Sequence, residues 1–186
     1  MKKTIIFLLI VILCSFALSA SFVSRVSISE EVAYQRYNRI WTSPNTYYYS
    51  VKSIANNPTL NNDLDIMFGN NIGITFGTKV GYQWGIWDEN RFVSFPKNLN
   101  GSLNAGIVFV YNSFRTTLSA ILRSSFQTSR NSWISQFGGE VDFSYALKNG
   151  LFFELGCRYL YSYEMITSGV SFGIGYQMGG NKWKRL

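Results

Sequence analysis

The chain has 186 residues, of which 47% are hydrophobic and 17% aromatic while only 15% are charged, and its formal net charge is +7. That length favours a single domain, and so aromatic and charge-poor a composition suits a water-soluble globule badly, which implies an apolar phase outside the chain. The complete lack of histidine removes the simplest general base near neutral pH.

Residues 1–20 begin with Lys2 and Lys3, continue in an apolar run and finish on the small residues Ala17, Ser19 and Ala20. This pattern predicts a cleaved secretory signal. Cys14 follows the large Leu13, so a lipid anchor is not expected. Cleavage leaves residues 21–186 as one domain with Cys157 alone, which excludes an intramolecular disulfide. Loss of the two lysines lowers the formal charge to +5, and modest basicity on an exported chain does not point to nucleic acid.

No later segment has 18 or more consecutive apolar residues, so no helical span is expected after the signal. Period-two alternation is found instead. Residues 22–34 place Phe22, Val26, Ile28, Val32 and Tyr34 opposite Arg25, Ser27, Ser29 and Glu31. Residues 34–59 read as a long loop or as strand extensions. Residues 61–68 set Leu64, Ile66 and Phe68 against Asp63 and Asp65, before a turn at Gly69-Asn70-Asn71. Residues 72–87 put Ile72, Ile74, Phe76, Val80, Tyr82, Trp84 and Ile86 on one face, with Gly73, Gly77, Lys79, Gly81 and Gly85 on the other.

Five further strands follow, over 103–111, 114–126, 133–147, 151–163 and 166–178. Val108 and Val110 blur the first of them. In the others Arg115 and Arg123, then Glu140 and Asp142, then Glu154 and Arg158 lie opposite the apolar set. Two-residue turns at Asn112-Ser113 and Glu164-Met165 and a three-residue loop at Lys148-Asn149-Gly150 carry the apolar face across each hairpin, pairing Tyr111 with Phe114, Tyr163 with Ile166 and Leu147 with Leu151. The eight strands predict an all-β, antiparallel up-and-down barrel through a bilayer, with apolar residues outward and glycines in a crowded interior. A soluble barrel would leave the glycine face in water and bury more aromatic bulk than a small interior holds. Longer connections at 36–60, 88–102 and 127–132 would emerge at the end opposite both termini.

The last strand contains SFGIGYQM, in which Ser171, Gly173, Tyr176 and Met178 provide a polar residue, a glycine, an aromatic and a hydrophobic residue at fixed spacing. In this the chain resembles the small eight-stranded outer-membrane barrels of the OmpX, OmpA transmembrane-domain and opacity-protein type, whose terminal strand is read by the outer-membrane assembly machinery. Met178 stands where an aromatic residue usually ends such chains, and a basic GGNKWKRL tail follows. The resemblance implies an outer-membrane location with periplasmic termini, and lipid and lipopolysaccharide as surroundings.

On these parities the interior charges are Arg25, Lys79, Arg115, Arg123 and Arg158 against Glu31, Asp63, Asp65, Glu140, Asp142 and Glu154, a near balance that predicts a paired plug. A selective pore lining is the competing reading. Glu140, Asp142 and Glu154 could hold a cation, although their spacing does not demand one. Barrel enzymes of this class commonly use histidine, so no catalytic residue is assigned, and no cofactor or metal pattern is found. The remaining functional surface is the first outer connection, where Arg36, Arg39 and Lys52 alternate with Tyr37, Trp41, Tyr47, Tyr48 and Tyr49. Such a set can grip anionic glycans, lipopolysaccharide phosphates or a host surface, or form an aromatic girdle at the bilayer interface.

Overall fold

The computed structural model describes residues 20–41, 47–83, 85–88, 91–93, 98–127 and 132–179. The signal predicted for 1–20 and the basic tail after 179 lie outside these residues, except that Ala20 opens the first strand. Ten strands are present among the described residues: β1 (Ala20–Trp41), β2 (Tyr47–Phe68), β3 (Ile72–Gln83), β4 (Gly85–Asp88), β5 (Arg91–Val93), β6 (Asn98–Tyr111), β7 (Phe114–Gln127), β8 (Ser132–Ala146), β9 (Leu151–Tyr161) and β10 (Met165–Gly179). Every pairing is antiparallel, and β1 pairs with both β10 and β2, which closes the ring β1-β10-β9-β8-β7-β6-β3-β2. The fold is a closed eight-stranded up-and-down barrel, with β4 and β5 as extensions at one end.

Side chains divide by parity. Ile28 is 65% exposed on the outer wall, whereas Phe152 and Glu140 are each 1% exposed inside. The outer wall is a continuous field of large apolar residues. Water would be a poor solvent for it, since soluble monomers rarely expose apolar patches beyond a few hundred Å². Hydrocarbon suits it, because closing the ring satisfies all strand hydrogen bonds internally.

At the end that carries both termini the connections are tight. Phe68 pairs with Ile72 around Gly69, whose φ of +79° suits glycine. Tyr111 pairs with Phe114 across Asn112-Ser113, and Leu147 bonds Leu151 around Gly150. These three turns are as expected from the sequence. The tight turn between β9 and β10, at the opposite end, differs: Tyr161 pairs with Ile166, and the Ser162 amide donates to the Met165 carbonyl at 2.8 Å. The turn residues are therefore Tyr163-Glu164 rather than Glu164-Met165, because Met165 is buried inside the barrel as the first residue of β10.

Of the two readings left open for residues 34–59, strand extension is the one found, while the loop expected over 88–102 changes. Residues 34–59 are mostly strand: β1 and β2 pair from Ala20↔Phe68 to Trp41↔Tyr47, and 22 residues span about 70 Å. A membrane strand needs only about 9–11 residues, so this hairpin runs on past the point where β10 stops pairing, at Tyr37. The segment 88–102, expected as a loop, contains β5 and the start of β6.

The alternation also changes phase after Gln83. Thr59 pairs with Gly81, but Asn56 pairs with Gly85, so one extra residue is accommodated opposite Pro58. Proline lacks the amide that a regular ladder requires there, and a bulge absorbs the mismatch. Ile86 pairs with Ala55 and Trp87 with Ile54, and their side chains, with the outward face expected for Ile86, lie outside the described set.

Candidate functional site

The lumen has three zones. At the short-turn end Val23, Met67, Val108 and Val110 form an apolar cluster, which is why the two valines interrupt the alternation in β6. Above it lie the charges. Nearest the long-connection end the lining is neutral, with Gln35 donating to Gln83 at 3.4 Å, Asn98 donating to Gln83 at 3.3 Å and Gln136 donating to Thr167 at 3.0 Å.

The structure places all eleven charges of the predicted interior set on the inward face. Six of them form one alternating chain. Arg123 meets Glu31 at 3.3 Å, Glu31 meets Arg158 at 3.4 Å, Arg158 meets Glu140 at 3.1 Å, Glu140 meets Lys79 at 2.6 Å, and Lys79 reaches Asp142 at 3.9 Å. The chain crosses the lumen because its members come from β7, β1, β9, β8 and β3. Glu31 is 0% exposed.

Arg115 makes a separate two-pronged pair with Asp65, at 2.8 and 2.7 Å, and touches the Thr75 hydroxyl at 3.3 Å. Arg25 donates to Ser144 at 2.9 Å and lies 3.8 Å over the Phe152 ring, an arrangement that favours a cation on an aromatic face. Glu154 accepts from Ser27 at 2.7 Å and Asn61 at 2.9 Å. Asp63 borders Gly77 with no hydrogen-bond partner at its Oδ1. The trio Glu140, Asp142 and Glu154 is not gathered around a vacant point: Lys79 lies on the first two, and no three-residue metal-ligating group is found among the described residues.

Pairing across the lumen was hidden from the sequence, which gives a residue's face but not the partner three strands away. The role of Phe152 was missed as well. Its signal is the doublet Phe152-Phe153, in which one ring must point inward.

At the long-connection rim, Arg36 of β1 and Lys52 of β2 are direct cross-strand partners, both exposed on the outer wall. Tyr37, Arg39, Trp41, Tyr47, Tyr48 and Tyr49 lie on the extended β1–β2 hairpin rather than in a loop, and their side chains are outside the described set. On β10, Ser171 and Gly173 face inward and Tyr176 and Met178 outward, all within the strand that closes the ring against β1.

No protein-family model matches the chain, and no curated protein matches it in sequence. Solved structures do. The outer membrane protein OprG from Pseudomonas aeruginosa aligns with a TM-score of 0.54 at 10% identity, covering 86% of this chain and 96% of that one. The outer membrane protein AlkL, solved in DMPC lipid bilayers, aligns at 0.52 and 14%, over 88% and 92%. The attachment invasion locus protein Ail of Yersinia pestis, in complex with the heparin analogue sucrose octasulfate, aligns at 0.50 and 13%, over 84% and 99%. The fold of this chain is therefore that of the small eight-stranded outer-membrane β-barrels.

Proposed function

We propose that the chain is a non-enzymatic outer-membrane barrel that contributes to envelope integrity and surface interaction through its long-connection rim, with both termini in the periplasm. The observation that carries this reading is the alternating chain from Arg123 to Asp142, which crosses the lumen with buried ion pairs and leaves the ends and the outer wall as the working surfaces. A pore is disfavoured because a solute would have to part buried ion pairs, each costly to break. Catalysis is disfavoured because Glu140 and Asp142, the paired carboxylates, are engaged by Lys79 and Arg158 rather than facing an open cleft.

The partners in this reading are outer-membrane lipid and lipopolysaccharide, the barrel assembly machinery acting on β10, and an anionic glycan or host surface at the rim. The heparin analogue bound by Ail is consistent with the last of these. Binding of sulfated glycan to reconstituted protein tests it. Replacing Arg36, Arg39 and Lys52 together by serine should weaken binding at least tenfold, and unchanged binding would remove the adhesion reading. Stable unitary conductance in a planar bilayer, altered by Arg123→Ser, would favour a pore instead.

A further inference from the structure

Asn62 of β2 stands exposed on the outer wall, between Val26 of β1 and Thr78 of β3. It lies six residues from Phe68, and Thr78 lies six from Ile72, the residues that flank one tight turn. Six residues of tilted strand rise roughly 15 Å, which is near the middle of an apolar band about 25 Å tall. The outward residues of β3 agree, with Ile72, Ile74 and Phe76 on one side of Thr78 and Val80 and Tyr82 on the other.

The Asn62 amide makes no hydrogen bond among the described residues. Its donors and its acceptor are held where neither water nor a lipid tail can meet them, a costly placement. Contact with lipid alone is served better by leucine, as at the neighbouring outward positions Leu60 and Leu64. Beside the amide the wall is hollowed. A depression of about 580 Å³ borders Asn62 and Thr78, and Phe76, Leu103, Leu122 and Phe137 rise around the small cross-strand partners Ala105 and Ala120. Behind them lie Gly77 and the lumen-facing residues Asn104 and Ile121. Small residues let a second surface approach closely within a membrane.

We propose that this part of the wall, centred on β2, β3 and β6, docks a second copy of the chain, with the two Asn62 amides hydrogen-bonded to each other. Copies inserted in the same direction are related by a two-fold axis along the bilayer normal, which keeps every residue at its own depth. Asn62 near that axis therefore meets Asn62. An amide is self-complementary under this operation, because each N–H faces the carbonyl oxygen of the other copy. A membrane lipid carries its polar groups near the headgroup and offers nothing equivalent at this depth. The interface requires only a bilayer around the barrel, whichever way the termini face.

The test uses refolded protein in lipid vesicles, carrying Cys157→Ser and Lys148→Cys so that donor or acceptor dye sits on an exposed turn. Energy transfer over a series of protein-to-lipid ratios should rise to the plateau of a dimer. Asn62→Leu should raise the dissociation constant about tenfold or more, which corresponds to about 1.4 kcal/mol. Asn62→Gln, which keeps the amide, should retain part of the association. In a Cys157→Ser background without the dye site, Asn62→Cys should form a disulfide with its own copy on mild oxidation, whereas Leu155→Cys, on another side of the barrel, should not. Heat-shifted gel mobility checks that each variant folds. Three results would overturn the interface: monomer at every ratio, with lipid alone covering the wall; association that Asn62→Leu leaves at full strength; or equal cross-linking through Leu155→Cys.

Discussion

The Lys79 ammonium lies 2.6 Å from both carboxylate oxygens of Glu140, although β3 and β8 are separated around the wall by β6 and β7. The contact spans the lumen rather than a strand pair. Replacing Lys79 by methionine should destabilise the barrel by about 3–5 kcal/mol, since one partner of a buried pair is left uncompensated. Urea unfolding in lipid vesicles measures it. The double variant Lys79→Met/Glu140→Met should recover part of the loss.

Glu31 holds two guanidiniums, Arg123 and Arg158. Glu31→Gln keeps its shape and leaves two cations facing a neutral amide, so its loss should exceed that of Asp65→Asn, which releases Arg115 alone. Comparing the two midpoints in the same lipid checks the order, and equal losses would mean that the chain does not act as a connected unit.

Leu118 is 57% exposed in the middle of the outer face of β7. In a water-soluble barrel, arginine at an exposed site would cost within about 0.5 kcal/mol. In a bilayer it should cost about 2–4 kcal/mol at the midplane, and about 0–1 near the interface, where Tyr145→Arg serves as the comparison. Vesicle-based unfolding of the two variants distinguishes these environments.

Cys157 is exposed on the same outer wall, one outward step from Leu155 and Tyr159. In the folded, lipid-embedded protein it should react with an apolar maleimide and resist a charged thiosulfonate. After denaturation both reagents should label it. Rapid modification of the folded form by the charged reagent would place β9 in water.

Gly138 faces the backbone of Tyr159 on β9, with no room for a side chain. Gly138→Val should displace β9 from β8, with a cost of at least about 1–3 kcal/mol for overpacking, seen as loss of heat-shifted mobility. Gly101 has open space at the same position, so Gly101→Val should leave mobility unchanged.

The faces of the strands were legible because a period of two is written residue by residue: the inward placement of Arg115, Arg123, Glu140 and Arg158 follows from parity alone. Pairing was not, because it depends on how far each strand is staggered around the ring. The reach of β1 and β2 was obscured by mixed polar and aromatic residues beyond Tyr34, which carry no clean alternation. The phase change at Gln83 arises from Pro58 on the neighbouring strand, so no local reading of 72–87 could reveal it. At the rim, the juxtaposition of Arg36 and Lys52 requires the β1–β2 register.

The alternating chain also bears on the order in which the protein can be made. Glu31 belongs to the first strand, while its partners Arg123 and Arg158 belong to β7 and β9. Until β1 is seated beside β10, both guanidiniums lack Glu31, and Arg158 keeps Glu140 of the neighbouring β8. A partly curled intermediate that entered hydrocarbon would carry them short of the carboxylate they share, so the energetics favour inserting the ring and joining its seam as a single event.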